Sequence, residues 1–202
     1  MYRLPEKMLR IDRPGGVELY LEHVRMPESG ACRRQEAYAL QQQVKSELIG
    51  RRFGNGATLM HTPEGAPRIE GSELNISLSH CAALAAMAVC PKPGRVGVDA
   101  EGCDRYEQLT RISRRFLSEA EWPLWSREPQ LLLAAWVLKE ALYKAAGHPG
   151  WALADIPVLT PEAIGGIEDA EVECFGHVYV PEVFMADGFD GLIGLAREVI
   201  IS

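Results

Sequence analysis

A chain of 202 residues, 47% of them apolar, can form one large domain or two small ones around a sizeable core. Its net charge of −7 argues against a broad nucleic-acid-binding surface, so any basic site must be local. The first residues lack the apolar stretch of a signal peptide, and the longest apolar run, Cys81 to Cys90, is too short to cross a bilayer. Five cysteines without a CxxC spacing fit reduced thiols in the cytoplasm better than a disulfide frame or a zinc site.

Taken in order, Arg13-Pro14-Gly15-Gly16 marks a turn. Val17 to Val24 alternates apolar and polar residues, which predicts a strand. Pro27 to Gly30 breaks it, and Ala31 to Ile49 reads as a helix stopped by Gly50. Arg33 and Arg34 in its first turn oppose the helix dipole. They hint at a nearby anion, although a solvated arginine pair explains them as well. Lys45 lies near the far end of this helix. Ala57 to His61 is a short strand by pattern, and Thr62 to Pro67 is a loop by composition. Leu74 to Leu78 reads as a strand that enters Ser79-His80. Cys81 to Cys90 is apolar throughout, and periodicity does not separate a buried helix from a buried strand there. After a turn at Pro91 to Gly94, Arg95 to Glu101 is a strand with Val96 and Val98 on one side.

On that strand Asp99 and Glu101 stand at i and i+2 and point to one face. Carboxylates so close repel unless a cation lies between them, and such a pair suggests a hard divalent ion such as Mg²⁺. A solvated strand end is the plainer alternative. Arg105, Arg111, Arg114 and Arg115 then form a basic cluster in an acidic chain. Ser118 and Glu121 have the spacing of a capping box, which predicts a short helix after them. Glu128-Pro129 opens a longer helix that Gly147 closes. On it Trp136, Glu140 and Lys144 share one face, with Lys139 beside them. The remainder carries strand-like runs at Val172 to Val180 and Leu192 to Ile200, read as a sheet that completes the core. Strands and helices without regular βαβ alternation argue for an α+β fold.

Three stretches together resemble the Sfp-type branch of the 4′-phosphopantetheinyl transferases. They are Gly65-Ala66-Pro67 followed by Asn75-Ile76-Ser77-Leu78-Ser79-His80, then Val96-Gly97-Val98-Asp99-Ala100-Glu101, then Trp136-Val137-Leu138-Lys139-Glu140-Ala141-Leu142-Tyr143-Lys144. The segment Arg115-Phe116-Leu117-Ser118 with Glu121 is similar to a fourth motif of that family. The matching stretches run from about Gly65 to Gly147, in the family's order.

The resemblance implies an α+β fold of two similar α/β halves related by a pseudo-twofold axis. Residues 1–95 would form the coenzyme A-binding half, and residues 96–202 the metal-binding and catalytic half. It implies transfer of the phosphopantetheine arm of coenzyme A, the co-substrate, to a serine of an apo acyl or peptidyl carrier protein, with release of 3′,5′-ADP. Asp99, Glu101 and Glu140 would hold Mg²⁺, and Glu140 would also accept the serine proton, with a hydroxide on the ion as the rival acceptor. Lys144 would act on the phosphates, with Lys139 adding to the same field. Lys45, Pro67, Ser79 and His80 would bind coenzyme A. Arg111, Arg114 and Arg115 would form part of a carrier-docking patch. The implied partners include neither nucleic acid nor membrane, and the implied state is a cytoplasmic monomer. One departure stands out: the family's Gly-Lys-Pro loop reads Gly65-Ala66-Pro67, and Arg68 is the nearest replacement for its lysine. That departure supports an alternative, a protein that binds coenzyme A or a carrier without turnover.

Overall fold

Two four-stranded antiparallel sheets pack face to face, each with a helix on its outer side. The computed structural model describes residues 2–3, 8–24, 34–147, 150–157, 160–161 and 170–200. In chain order the elements are β1 (Tyr2–Arg3), β2 (Leu9–Arg13), β3 (Val17–His23), α1 (Arg34–Phe53), β4 (Leu59–His61), β5 (Pro67–Ile69), β6 (Leu74–His80) and β7 (Leu84–Pro91). There follow β8 (Val96–Gly102), α2 (Tyr106–Ile112), α3 (Trp122–Trp125), α4 (Pro129–Ala146), β9 (Val172–Cys174), β10 (His177–Phe184), β11 (Ala186–Asp187) and β12 (Gly191–Glu198). The fold is α+β, and no helix among the described residues is long and apolar enough to cross a membrane.

The first sheet has the order β2-β3-β7-β6 and the second the order β8-β12-β10-β9. Each contains a strand, a helix and two later strands, the last of which inserts between the others: β3-β7-β6 and β8-β12-β10. The inner faces share one core, with Leu19, Leu21, Ala86 and Ala88 against Val96, Val98, Ile193 and Leu195. Small side chains on β7 let the sheets approach closely. Its other face, Ala85, Met87 and Val89, meets Leu48 and Ile49 of α1. Burial on both faces is why Leu84 to Cys90, the greater part of the run that begins at Cys81, shows no period. It resolves as a strand, not a helix.

Other expectations need correction at their edges. Leu9–Arg13 is a strand paired with β3, which the sequence pattern had not distinguished from the turn after it. The expected start of α1 at residues 31–33, Arg33 included, lies outside the described residues. The helix continues through Gly50 to Phe53, because Leu48, Ile49 and Phe53 anchor it to the first sheet. Gly54 ends it instead, at φ 96°, with its N–H on the Gly50 carbonyl at 2.8 Å. The run from Val172 to Val180 is a hairpin and not one strand. Phe175 and Gly176 turn it at φ 55° and 75°, the signature of a two-residue primed turn. The capping box forms: Ser118 N–H donates to Glu121 Oε2 at 2.9 Å, and Glu121 N–H donates to Ser118 Oγ at 3.3 Å.

The sheets are also joined along a polar seam. Alternation along β6 points Ser77 and Ser79 at β8. Ser77 Oγ accepts from Val98 N–H at 3.0 Å, and Ser79 Oγ accepts from Ala100 N–H at 3.2 Å. Asn75 Nδ2 adds a bond to the Gly94 carbonyl at 2.7 Å. Serine hydroxyls thus satisfy the free N–H groups of an edge strand that would otherwise be buried unpaired.

Candidate active site

Helix α4 is an 18-residue element with Pro129 at its first turn and Gly147 in the left-handed conformation just past its end. Two glycines let it settle on the second sheet. A methyl group at Gly97 of β8 would stand 1.9 Å from the Ala141 carbonyl oxygen, and one at Gly194 of β12 would stand 2.4 Å from that of Val137. This approach brings the last turns of α4 over Asp99. Lys144 Nζ donates to Asp99 Oδ1 at 2.7 Å and to the Val98 carbonyl at 3.0 Å. The same Asp99 oxygen accepts from Ser79 Oγ at 2.8 Å. Asp99 is 7% exposed, so its charge is paired in a nearly dry setting.

Glu140 stands one turn before Lys144. Burial first, then the charge of Asp99, pushes its carboxyl above the ordinary value, while Lys144 pulls it down. Among the described residues it has no hydrogen-bond or ion-pair partner. Glu101 lies two residues beyond Asp99 on the same strand face. Its Oε2 accepts from Arg105 Nη1 at 2.8 Å. Burial raises its carboxyl most, Arg105 lowers it, and Asp99 raises it further. Asp99, Glu101 and Glu140 are all oxygen donors, the chemistry a hard cation such as Mg²⁺ takes. Among the described residues, however, no three His, Cys, Asp or Glu side chains stand together in a metal-holding group. Two of the three carboxylates are held by Lys144 and Arg105 instead.

Beyond Lys144 opens a cavity of about 500 Å³ between α1, the β4–β5 hairpin, β6 and the end of α4. Tyr38, Gln42 and Lys45, at i, i+4 and i+7, present one face of α1 to it. His80, Pro67 and Lys144 line the facing walls. Burial, then the charges of Lys45 and Lys144, hold the His80 imidazole below its ordinary pKa, and Asp99 opposes them. Burial also lowers the Lys45 ammonium. Groups whose cationic forms are penalised in this way mark a cavity that an anion would relieve.

The structure separates the expected site residues. Lys45, Pro67, His80 and Lys144 meet at this cavity. Ser79 does not line it, and its hydroxyl is bonded to Asp99 and the Ala100 N–H. Arg68 lines an adjoining groove of about 660 Å³.

Lys139 must be corrected outright. It is 0% exposed, and its Nζ donates to Glu121 Oε2 at 2.7 Å, the Leu153 carbonyl at 3.0 Å and the Ile156 carbonyl at 2.6 Å. All three of its protons are used, and it does not line the cavity. Burial lowers its ammonium most, and Glu121 opposes that. One step along a helix turns a side chain by about 100°, enough to move Lys139 off the Glu140–Lys144 face. Trp136 is packing, edge-on to Phe116 with centroids 5.0 Å apart.

Two features escaped the sequence reading. The serine pair at 77 and 79 forms a seam whose partner strand is distant in sequence. The Tyr38–Gln42–Lys45 face had a usable signal, the helical spacing of three large polar or aromatic side chains.

A cavity walled by cationic side chains, next to carboxylates on a strand and a helix, suits a phosphorylated ligand. Residues 95–162 match the family model of the 4′-phosphopantetheinyl transferase superfamily. The match spans β8 through α4, and with them Asp99, Glu101, Glu140 and Lys144. No protein of curated function matches the chain.

Proposed function

We propose that this chain is an Sfp-type 4′-phosphopantetheinyl transferase. It acts as a cytoplasmic monomer of two pseudo-twofold-related halves, residues 1–95 and 96–202, and takes coenzyme A and an apo carrier protein as substrates. The observation that carries this reading is the position of Lys144, which lines the cationic cavity and at the same time binds Asp99 of the acidic strand. The matched segment holds both ends of that contact. The shared strand order of the two sheets supports the division into halves.

In the reaction the carrier serine Oγ attacks the phosphorus that bears the pantetheine arm. The bond to the bridging oxygen of the pyrophosphate breaks, and 3′,5′-ADP leaves. Lys144, with Lys45 and His80 around the same cavity, binds and orients the phosphates. Glu140, raised by burial and without a hydrogen-bond partner among the described residues, is the residue suited to accept the serine proton. Ser79 holds Asp99 in place. Mg²⁺ carried by Asp99, Glu101 and Glu140 would supply Lewis-acid neutralisation at the pyrophosphate. Arg111, Arg114 and Arg115, all exposed at the end of α2, offer an acidic carrier a local positive surface.

The test is intact-protein mass spectrometry of several apo carriers, drawn from fatty-acid, polyketide and nonribosomal-peptide systems, incubated with this protein, coenzyme A and Mg²⁺. A carrier mass gain of one phosphopantetheine arm, lost with EDTA and in Glu140→Gln, supports the assignment. The Glu101–Arg105 pair and the methyl group of Ala66 favour a second reading, a binder of coenzyme A or of a carrier without turnover. Measurable coenzyme A binding without mass gain on any carrier would select it.

A further inference from the structure

The β4–β5 hairpin sorts its basic residues to two faces. Its register pairs Met60 with Arg68 and His61 with Pro67. Residues paired directly across an antiparallel ladder project to the same side, and neighbours along each strand to opposite sides. Leu59 and His61 accordingly line the cavity that holds Lys45 and His80, and Met60 and Arg68 line the adjoining groove, while Pro67 and Lys144 border both. The turn between the strands is tight, with Thr62 N–H on the Ala66 carbonyl at 2.9 Å and Gly65 N–H on that of Thr62 at 2.9 Å. It brings Glu64 and Ala66 to the same cavity, and Ala66 offers only a methyl group there. The basic side chain that the hairpin contributes to this cavity is therefore His61.

We propose that His61 is a ligand-binding residue of this site, the hairpin's donor to a phosphate of the bound ligand, and that Arg68 is not. This rests on the coenzyme A reading above and deepens it. His61 is exposed at the cavity mouth, so an arriving anion can be met there without prior opening of the fold. Tyr38, Gln42 and Lys45 of α1 line the same cavity, as do His80, Lys144 and, on the hairpin itself, Glu64. The phosphate it meets is either the 3′-phosphate or the pyrophosphate, which share one chemistry and can be told apart by omission.

The experiment is calorimetric titration of the full chain, without Mg²⁺, with coenzyme A, 3′-dephospho-coenzyme A and uncharged pantetheine. His61→Ala should weaken coenzyme A by about three- to tenfold, the size of one hydrogen bond to a charged group at an exposed site. Arg68→Ala should leave it within about twofold. His61→Lys should restore the affinity, and Ala66→Lys in the His61→Ala chain should recover most of the loss. If the loss disappears with 3′-dephospho-coenzyme A, the 3′-phosphate is the partner; if it persists, the pyrophosphate is. Unchanged affinity in His61→Ala, a loss in Arg68→Ala alone, or an equal loss with pantetheine would overturn the proposal while leaving the transferase reading intact. A wild-type chain that binds no coenzyme A would overturn both.

Discussion

Gly97 lies so close under α4 that a methyl group on it would stand 1.9 Å from the carbonyl oxygen of Ala141 and 2.7 Å from the N–H nitrogen of Ala145. Both obstacles are backbone, so neither can swing aside. The contact sets the height of α4 above β8, and with it the reach of Lys144 to Asp99. Gly97→Ala should cost about 1–3 kcal/mol or more, as overpacking does. That corresponds to roughly 2–4 °C of melting temperature per kcal/mol in a chain of this size. Gly56→Ala, where the added methyl would meet nothing within 4 Å, is the control and should stay within about 1 kcal/mol. Thermal melts of the two variants decide it, and equal melting points would refute this account of the helix position.

Ser79 serves two partners across the seam, the Asp99 carboxylate and the Ala100 N–H. Ser79→Ala leaves a strand-edge donor unpaired and strips Asp99 of one of its two side-chain partners among the described residues. The expected cost is about 1–3 kcal/mol, read as a lower urea midpoint with an unchanged slope. Transfer activity should fall with it, because Asp99 then loses a bond that orients it toward Lys144.

The two lysines of α4 should behave differently. Lys139→Ala strands the Glu121 carboxylate, 11% exposed, without its cation, and should cost about 3–5 kcal/mol. Glu121→Gln in the same chain should recover part of that loss. Lys144 is 29% exposed, and Lys144→Ala should cost markedly less while weakening coenzyme A binding. Denaturation curves and coenzyme A titrations on the same preparations test the pair of outcomes. A Lys139→Ala chain of wild-type stability with lost affinity would reverse the assignment.

Glu140 carries a pH signature. Its carboxyl is raised above 4.5 on folding, by burial first and by Asp99 second. A group raised in this way favours the fold below about pH 4.5 and loses that contribution as pH climbs through its folded value. Near neutrality the buried carboxylate therefore works against stability. In metal-free buffer Glu140→Gln should melt higher than the wild type at pH 7–8, by a margin that shrinks toward pH 4, and should be unable to transfer. A variant that melts lower at every pH would show that the carboxylate is paired in solution.

Arg111, Arg114 and Arg115 are exposed in one short stretch, and the Arg114 guanidinium lies 3.8 Å from the centroid of the Trp122 ring. Reversing all three to Glu should raise the apparent KM for an acidic carrier by about tenfold at low salt, with less effect at high salt. The KM for coenzyme A should barely move. If both constants stay unchanged in steady-state assays, docking lies elsewhere.

The sequence by itself determined what depends on neighbours along the chain. Pro129 and Gly147 bracket α4, Ser118 and Glu121 close their capping box, and the period of two sets Gly97, Asp99 and Glu101 on one face of β8. The spacing of Glu140 and Lys144 was legible for the same reason. A helix repeats every 3.6 residues whatever surrounds it.

The tertiary structure decided which face meets what. Lys139 sits next to Glu140 in sequence, yet its environment is Glu121, Leu153 and Ile156, supplied by segments on either side of the helix. Arg68 stands two residues from Ala66, yet pairing with β4 turns it to the groove and gives the cavity His61. The stretch after Cys81 became a strand because a helix covered one face of it and a second sheet the other. Local periods fix the direction of each side chain relative to its own backbone. Contacts between residues far apart in the chain fix where that direction leads, and no pattern within one segment carries that information.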